Sequence, residues 1–336
     1  MTNFGNILRF LPALLLSFSV ASCQLDRGFL KSSNAESVHI IRYDRIVDDY
    51  VNTGNVAQWQ RMNTEFPKET RALIEDVLKL GPADADEVGD SLCIFYKDTT
   101  LQHLRNDVAR QYNDLSEYEK QLSTAFERLK EEKSDIVVPK IYAQNSALNQ
   151  SIVVGDSLIG ISLDKYLGSQ YPLYQNHFNA NQRATMEPSR IVIDCLLFYL
   201  NQQYPFPGNI MKATLGDVLI HQGAIAWVVA KLVNKAPIDV VACQPATKKW
   251  YLTHEKSVWN TLKQANVWNK VDAPLVHSVM MTSDAHPYFK EPHSRGVGLW
   301  LGMRIVEKYM CHHPKVSLDS LLRIKNFQHI VKESKY

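Results

Sequence analysis

Hydrophobic residues in this chain recur every three or four positions over long stretches, and that spacing predicts a mostly helical protein. The clearest run is Leu101, Leu104, Val108, Tyr112, Leu115, Tyr118, Leu122, Phe126 and Leu129. It places apolar side chains on one helix face, so the stripe reads as core packing. Ser116-Glu117-Tyr118-Glu119 has the residue types of a capping box, which divides the run into two helices near Asn113-Asp114. Residues 56–80 also read as helix, with Trp59, Met62, Phe66, Leu73, Val77 and Leu80 inward. The stretch 215–233 is apolar on almost every side apart from His221, Gln222 and Lys231, and belongs deep in the core. Further helices are expected at 191–200 after Pro188, at about 246–265 and at 296–310.

Strand character is confined to short segments at 38–43 and 136–142 and to a hairpin over 151–163 around Gly155-Asp156. Helices with one small mixed or antiparallel sheet, and no regular βαβ alternation, predict an α+β fold. Residues 37–330 read as a single domain, and the sequence has no internal repeat.

The N-terminus follows a different logic. Arg9 precedes the apolar run 10–20, which ends in Val20-Ala21-Ser22-Cys23. A basic residue, a short apolar core and small residues at its end describe an export signal over residues 1–22. The run is shorter than the roughly 20 apolar residues a spanning helix needs, and no later stretch is expected to cross a bilayer. Val-small-small-Cys resembles the lipobox of bacterial lipoproteins, which implies that Cys23 is acylated and becomes the mature N-terminus. Several acyl chains give a durable anchor where one gives a marginal one. Residues 24–36 are polar and aperiodic and read, with Cys23, as the tether.

Charge narrows the partners. Without Arg9 the mature chain keeps 36 basic residues against 35 acidic ones. That balance excludes the concentrated basic face a nucleic-acid partner demands. Cys93, Cys195, Cys243 and Cys311 are permitted to pair in an oxidising compartment, but their spacing matches no disulfide framework or zinc knuckle. Buried free thiols are expected, above all at Cys195.

Two longer blocks carry a resemblance. Ile159-Gly160-Ile161-Ser162-Leu163-Asp164-Lys165-Tyr166-Leu167-Gly168, with Tyr171-Pro172-Leu173-Tyr174 behind it, is similar to the "ISLDKYLG…YP.Y" block of GldB-type gliding motility lipoproteins of Bacteroidetes. Pro292-His293-Ser294-Arg295-Gly296-Val297-Gly298-Leu299-Trp300-Leu301-Gly302-Met303-Arg304-Ile305-Val306 resembles that family's "PGRxGxWLGWQIV" helix start. Leu219-Ile220-His221-Gln222-Gly223 stands where the family has "MIYEGK". The resemblance implies an envelope lipoprotein associated with surface motility or related envelope transport, with an envelope protein as partner. It also implies a distant likeness to zinc peptidases, whose His-Glu-x-x-His helix puts two zinc ligands on one face with a glutamate between them. No His-Glu-x-x-His occurs in this chain. If Asp194 stands at the catalytic carboxylate position, Ile193 and Leu197 replace both histidines, and Gln222 replaces a carboxylate ligand on the next helix. The expectation is therefore a zincin-like scaffold that is no enzyme and has neither metal nor cofactor. A divergent zinc hydrolase and a glycan- or peptide-binding lipoprotein are the alternatives. Gln24, and the absence of an acidic cluster in the tether, favour the outer membrane with the domain facing the periplasm.

Within that scaffold a vestigial cleft is expected from Asp164, Tyr166, Asp194, His221, Gln222 and Arg295, with Asp164 and Tyr166 on a strand edge facing it. An unpaired Asp194 in an apolar helix carries a large desolvation cost, so Arg190 or Arg295 is expected beside it. His221 reads as a hydrogen-bonded core histidine and His312-His313 as a helix exit. His254-Glu255 reads as a solvated helix face. Gly298 and Gly302 suit close helix packing better than a dinucleotide site. Trp227, Trp250, Tyr251, Trp259, Trp268 and Trp300 read as core, with an aromatic groove as the alternative.

Overall fold

The computed structural model describes residues 37–280, 288–289 and 296–336. Strand β1 (Ile40–Ile41) is shorter than the 38–43 segment expected, because Tyr43 already opens helix α1 (Tyr43–Thr53). Residues 56–80 are helical in three pieces: α2 (Val56–Thr64), α3 (Pro67–Arg71) and a π-helical segment (Ala72–Val77). Pro67 has no amide proton to continue α2 and instead starts α3. Helices α4 (Val88–Tyr96), α5 (Thr99–Gln111) and α6 (Ser116–Glu132) follow. The break before α6 lies where the sequence puts it, but no capping box forms. The Ser116 amide donates to Asp114 Oδ1 at 2.9 Å, while the Glu119 carboxylate accepts the Ile40 amide at 2.8 Å. A tertiary partner has taken the carboxylate that the local motif needed.

Strands β2 (Lys140–Gln144), β3 (Ile152–Gly155) and β4 (Leu158–Ser162) complete a sheet of order β1-β2-β4-β3. The first two pairings are parallel and the β3–β4 hairpin is antiparallel. Strand β4 is therefore interior and β3 is the edge, which corrects the expected strand edge at Asp164. Side chains alternate between two cores: Ile141, Ala143, Ile159 and Ile161 face the larger, Tyr142 and Leu158 the smaller one under α1 and α4. Gly160 is opposite Tyr142, and a Cβ there would lie 2.5 Å from the ring.

The C-terminal half is helical: α7 (Pro172–His177), α8 (Ala180–Arg183), α9 (Ile191–Gln203), α10 (Leu215–Leu232), α11 (Pro237–Val240) and α12 (Pro245–Gln264). It ends in α13 (Ala273–Met280), α14 (Val297–His312), α15 (Leu318–Leu322) and α16 (Phe327–Ser334). Among the described residues α10 alone has the length and composition of a membrane span, contrary to the expectation of none, yet 83% of it is buried inside the protein. It is the core helix the sequence indicates. Helices α10 and α14 cross with Gly223 against Gly302, backbone to backbone. Trp227, Tyr251, Trp268 and Trp300 are buried, and Trp250 and Trp259 pack on the same core, so these rings fill the interior. The four described cysteines are free thiols, but only Cys195 is buried; Cys93 and Cys243 are half-buried and Cys311 is exposed.

Candidate functional site

Asp194 lies in the first turn of α9, preceded by the 3₁₀ turn Pro188–Arg190. Four residues apart on a helix, Arg190 and Asp194 are neighbours, and Arg190 Nη2 donates to Asp194 Oδ1 at 2.6 Å. Tyr166 supplies the other half of the shell, its hydroxyl donating to Oδ2 at 3.0 Å. Arg190 is fixed in turn by Nη1, which donates to the Val240 carbonyl. All three side chains are buried. Burial pushes the Asp194 carboxyl above its ordinary range, while Arg190 and the Tyr166 hydroxyl pull it down. Tyr166 is itself raised well above the usual phenol, first by burial and then by the Asp194 charge. Arg190 is thus the cation that Asp194 required; Arg295 lies outside the described residues.

Asp164 has a different task. It sits in the 3₁₀ turn Leu163–Lys165 at the end of β4, fully buried. Its carboxylate accepts the amides of Ser146 at 2.8 Å and Leu148 at 2.6 Å, and the Ser146 hydroxyl. Between those amides Ala147 and Leu148 hold φ of +50° and +66°, a conformation that costs side-chain-bearing residues about 1–2 kcal/mol each. Asp164 is a clamp on a strained loop and does not face a cleft. Asp164→Asn is expected to lose about 1–3 kcal/mol in denaturant titration, because the new NH₂ opposes an amide that the carboxylate accepted.

His221 and Gln222 lie on α10, away from both carboxylates. His221 Nε2 is 3.0 Å from the Tyr204 carbonyl, and since a carbonyl only accepts, that nitrogen carries the proton. Phe206 and Phe327 pack edge-on against the ring. Gln222 donates to Asn201 Oδ1 at 2.9 Å. Asn201 is seven residues beyond Asp194 on α9, about 10 Å along the axis. Of the six residues expected to share one cleft, the five that are described occupy three separate places, and Arg295 lies outside the described residues. Sequence reading put Asp164 and Tyr166 on a strand edge and Asp194, His221 and Gln222 on successive helices, but did not give the rotation and stagger of those elements.

Burial pushes the His221 pKa down, opposed by its bond to Tyr204. The unfolded chain thus binds a proton that the folded one refuses. His221 favours folding above about pH 6.5, and that contribution is lost as pH falls below it. His221→Phe is expected to flatten the stability curve below about pH 6.5, read as denaturation midpoints across a pH series.

Two smaller expectations resolve clearly. His313 returns to the Tyr309 carbonyl as α14 ends, so the His312-His313 pair is a helix exit. His254 is exposed and stacked on Trp250, but Glu255 is no solvated residue. It accepts from Arg304 Nε at 2.8 Å and from the Tyr336 hydroxyl at 2.6 Å. Among the described residues, no three His, Cys, Asp or Glu side chains converge in a way that could hold a metal ion.

The family described as Gliding motility protein GldB matches residues 30–336, nearly the whole chain. This chain belongs to the GldB family. No curated protein and no solved structure matches it. A GldB-family member is a gliding motility-associated lipoprotein of the cell envelope. In this chain the long motif 159–168 is a structural device: Gly160 admits the Tyr142 ring, Asp164 clamps the loop, and Tyr166 completes the Asp194 shell. Two buried tyrosines brace it, and periodicity placed Tyr112 in the core without indicating what its hydroxyl holds. Tyr112 donates to the Tyr166 carbonyl and Tyr174 to the Asp164 carbonyl.

Proposed function

We propose that this protein is a non-catalytic component of a gliding motility or related envelope-transport machinery. It is held by acylated Cys23 in the outer membrane, faces the periplasm and engages an envelope protein. The reading takes the domain as a zincin-like scaffold that has given up its metal. The observation that carries it is the closed Arg190–Asp194–Tyr166 shell. The carboxylate at the position implied as catalytic is neutralised by an internal cation and capped by a phenol. If Asp194 holds that position, Ile193 and Leu197 stand where that chemistry needs histidines. Such a carboxylate, its two oxygens already engaged by Arg190 and Tyr166, is not free to activate water.

The test is metal analysis of the full chain purified in detergent, with capture of partners from solubilised envelopes. Substoichiometric zinc, with one envelope protein captured by the tagged chain, is the expected result. One zinc per chain, with hydrolysis lost on His221→Ala or Asp194→Ala, would instead establish a divergent hydrolase. Stabilisation by an envelope glycan without any protein partner would establish a binding lipoprotein. Intact mass of the mature protein reads the anchor directly, and Cys23→Ser is expected to abolish the acyl mass and the membrane fraction.

A further inference from the structure

A concavity of about 310 Å³ opens between α6, the start of α9 and the end of α10, apart from the Asp194 shell. Its floor is apolar, made by the buried Val192, Ile193 and Leu232. Its rim is cationic: Lys120 and Arg128 come from α6 and Lys235 from the turn after α10, against a single acid, Glu117. Lys120 and Arg128 are eight residues apart and so lie on one face of α6. Arg128 is positioned by its own bond, Nη1 donating to the Leu232 carbonyl at 2.5 Å. Lys120 and Lys235 are exposed and have no ion-pair partner among the described residues. The hydroxyls of Thr124 and Ser189 line the same space. A chain whose net charge is only +2 has here gathered three cations around one apolar depression.

We infer that this pocket binds a carboxylate attached to an apolar group, the anion on Lys120 and Lys235 and the apolar part on Val192, Ile193 and Leu232. Charge-assisted hydrogen bonds hold a carboxylate more firmly than neutral ones do, and the floor gives an adjoining aliphatic side chain a surface to cover. The volume is at the small end for ligand pockets, which suits one residue with its terminal carboxylate. Two sources present that chemistry: the C-terminal end of a polypeptide and a free aliphatic acid. The inference does not depend on the proposed function, since it uses Ile193 only as apolar surface and asks nothing of the anchor or of a lost metal site.

The test is calorimetric titration of the full chain in detergent with three probes. They are an acetylated hexapeptide ending in leucine with a free carboxylate, the same peptide amidated, and N-acetyl-leucine. The free acid is expected to bind about tenfold more tightly than the amide, with affinity falling as salt rises. Lys120→Gln/Lys235→Gln is expected to abolish that preference while leaving the melting temperature unchanged, since both side chains are exposed. Tighter binding of the peptide than of N-acetyl-leucine identifies a polypeptide end as the source, and equal binding identifies a free acid. Equal affinity for acid and amide, no binding of either at millimolar concentration, or an unchanged preference in the double variant overturns the inference.

Discussion

Gly302→Ala is expected to lose about 3 kcal/mol or more of folding stability, although alanine is the better helix former by up to about 1 kcal/mol. The sign is decided by the crossing of α10 and α14. A Cβ on Gly302 would lie 1.9 Å from the Leu219 carbonyl oxygen and 2.8 Å from its carbon. Across the same contact, a Cβ on Gly223 would lie 2.3 Å from the Gly302 carbonyl carbon and 2.6 Å from the Met303 nitrogen. Those neighbours are backbone, so no side chain can rotate aside, and the two helices must separate. Separation opens voids along a core that includes Leu219, Ile220, Met303 and Val306, each essentially inaccessible to solvent. Gly155→Ala is the matched control. Its Cβ would meet only Leu158 Cβ at 3.8 Å, and a change within about 1 kcal/mol is expected there. Urea titration of both variants reads the difference. A Gly302→Ala protein as stable as the parent would mean that the helices do not touch at these glycines.

Arg190→Met is expected to cost about 3–5 kcal/mol at pH 7, because it leaves the Asp194 charge buried with only the Tyr166 hydroxyl beside it. The loss depends on pH. Burial already holds the Asp194 carboxyl above its ordinary range, and removing Arg190 raises it further. In the parent, the folded state therefore holds this proton more tightly than the unfolded state does. The group's contribution to stability is most favourable below the unfolded value of about 3.9 and declines as pH rises through the folded value. In Arg190→Met the penalty shrinks as pH falls toward 3.9, since the protonated carboxyl carries no charge to leave unpaired. The double variant Arg190→Met/Asp194→Leu is expected to recover most of the loss, as apolar replacements of a buried pair commonly do. Equal losses at pH 7 and pH 4, or no recovery in the double variant, would show that the pair acts by packing alone.

Much of this architecture was legible as periodicity. The two helices split at Asn113-Asp114, the hairpin at Gly155-Asp156 and the core helix over 215–232 follow from spacing and turn chemistry, which are local. Asp194 is equally informative: a charge among Ile193, Cys195 and Leu196 demands a partner, and four residues away on the same helix is where one fits. What failed were inferences that needed one element's place beside another. The capping box lost Glu119 to Ile40, and β4 lay inside the sheet because β3 folded back outside it. The five described residues expected to share one cleft belong to three separate contacts. Lys120 and Arg128 meet Lys235 across more than a hundred residues of chain, a convergence no local pattern encodes.

Alone, the residue order determined the helix faces, the turns, the family likeness and the need for a cation beside Asp194, because each depends on chemistry within a few positions. Only the tertiary structure decided which faces meet. It placed Gly223 on Gly302, sealed Asp194 under Tyr166 and turned Asp164 onto a loop, since stagger and rotation between helices are set by packing of the whole core.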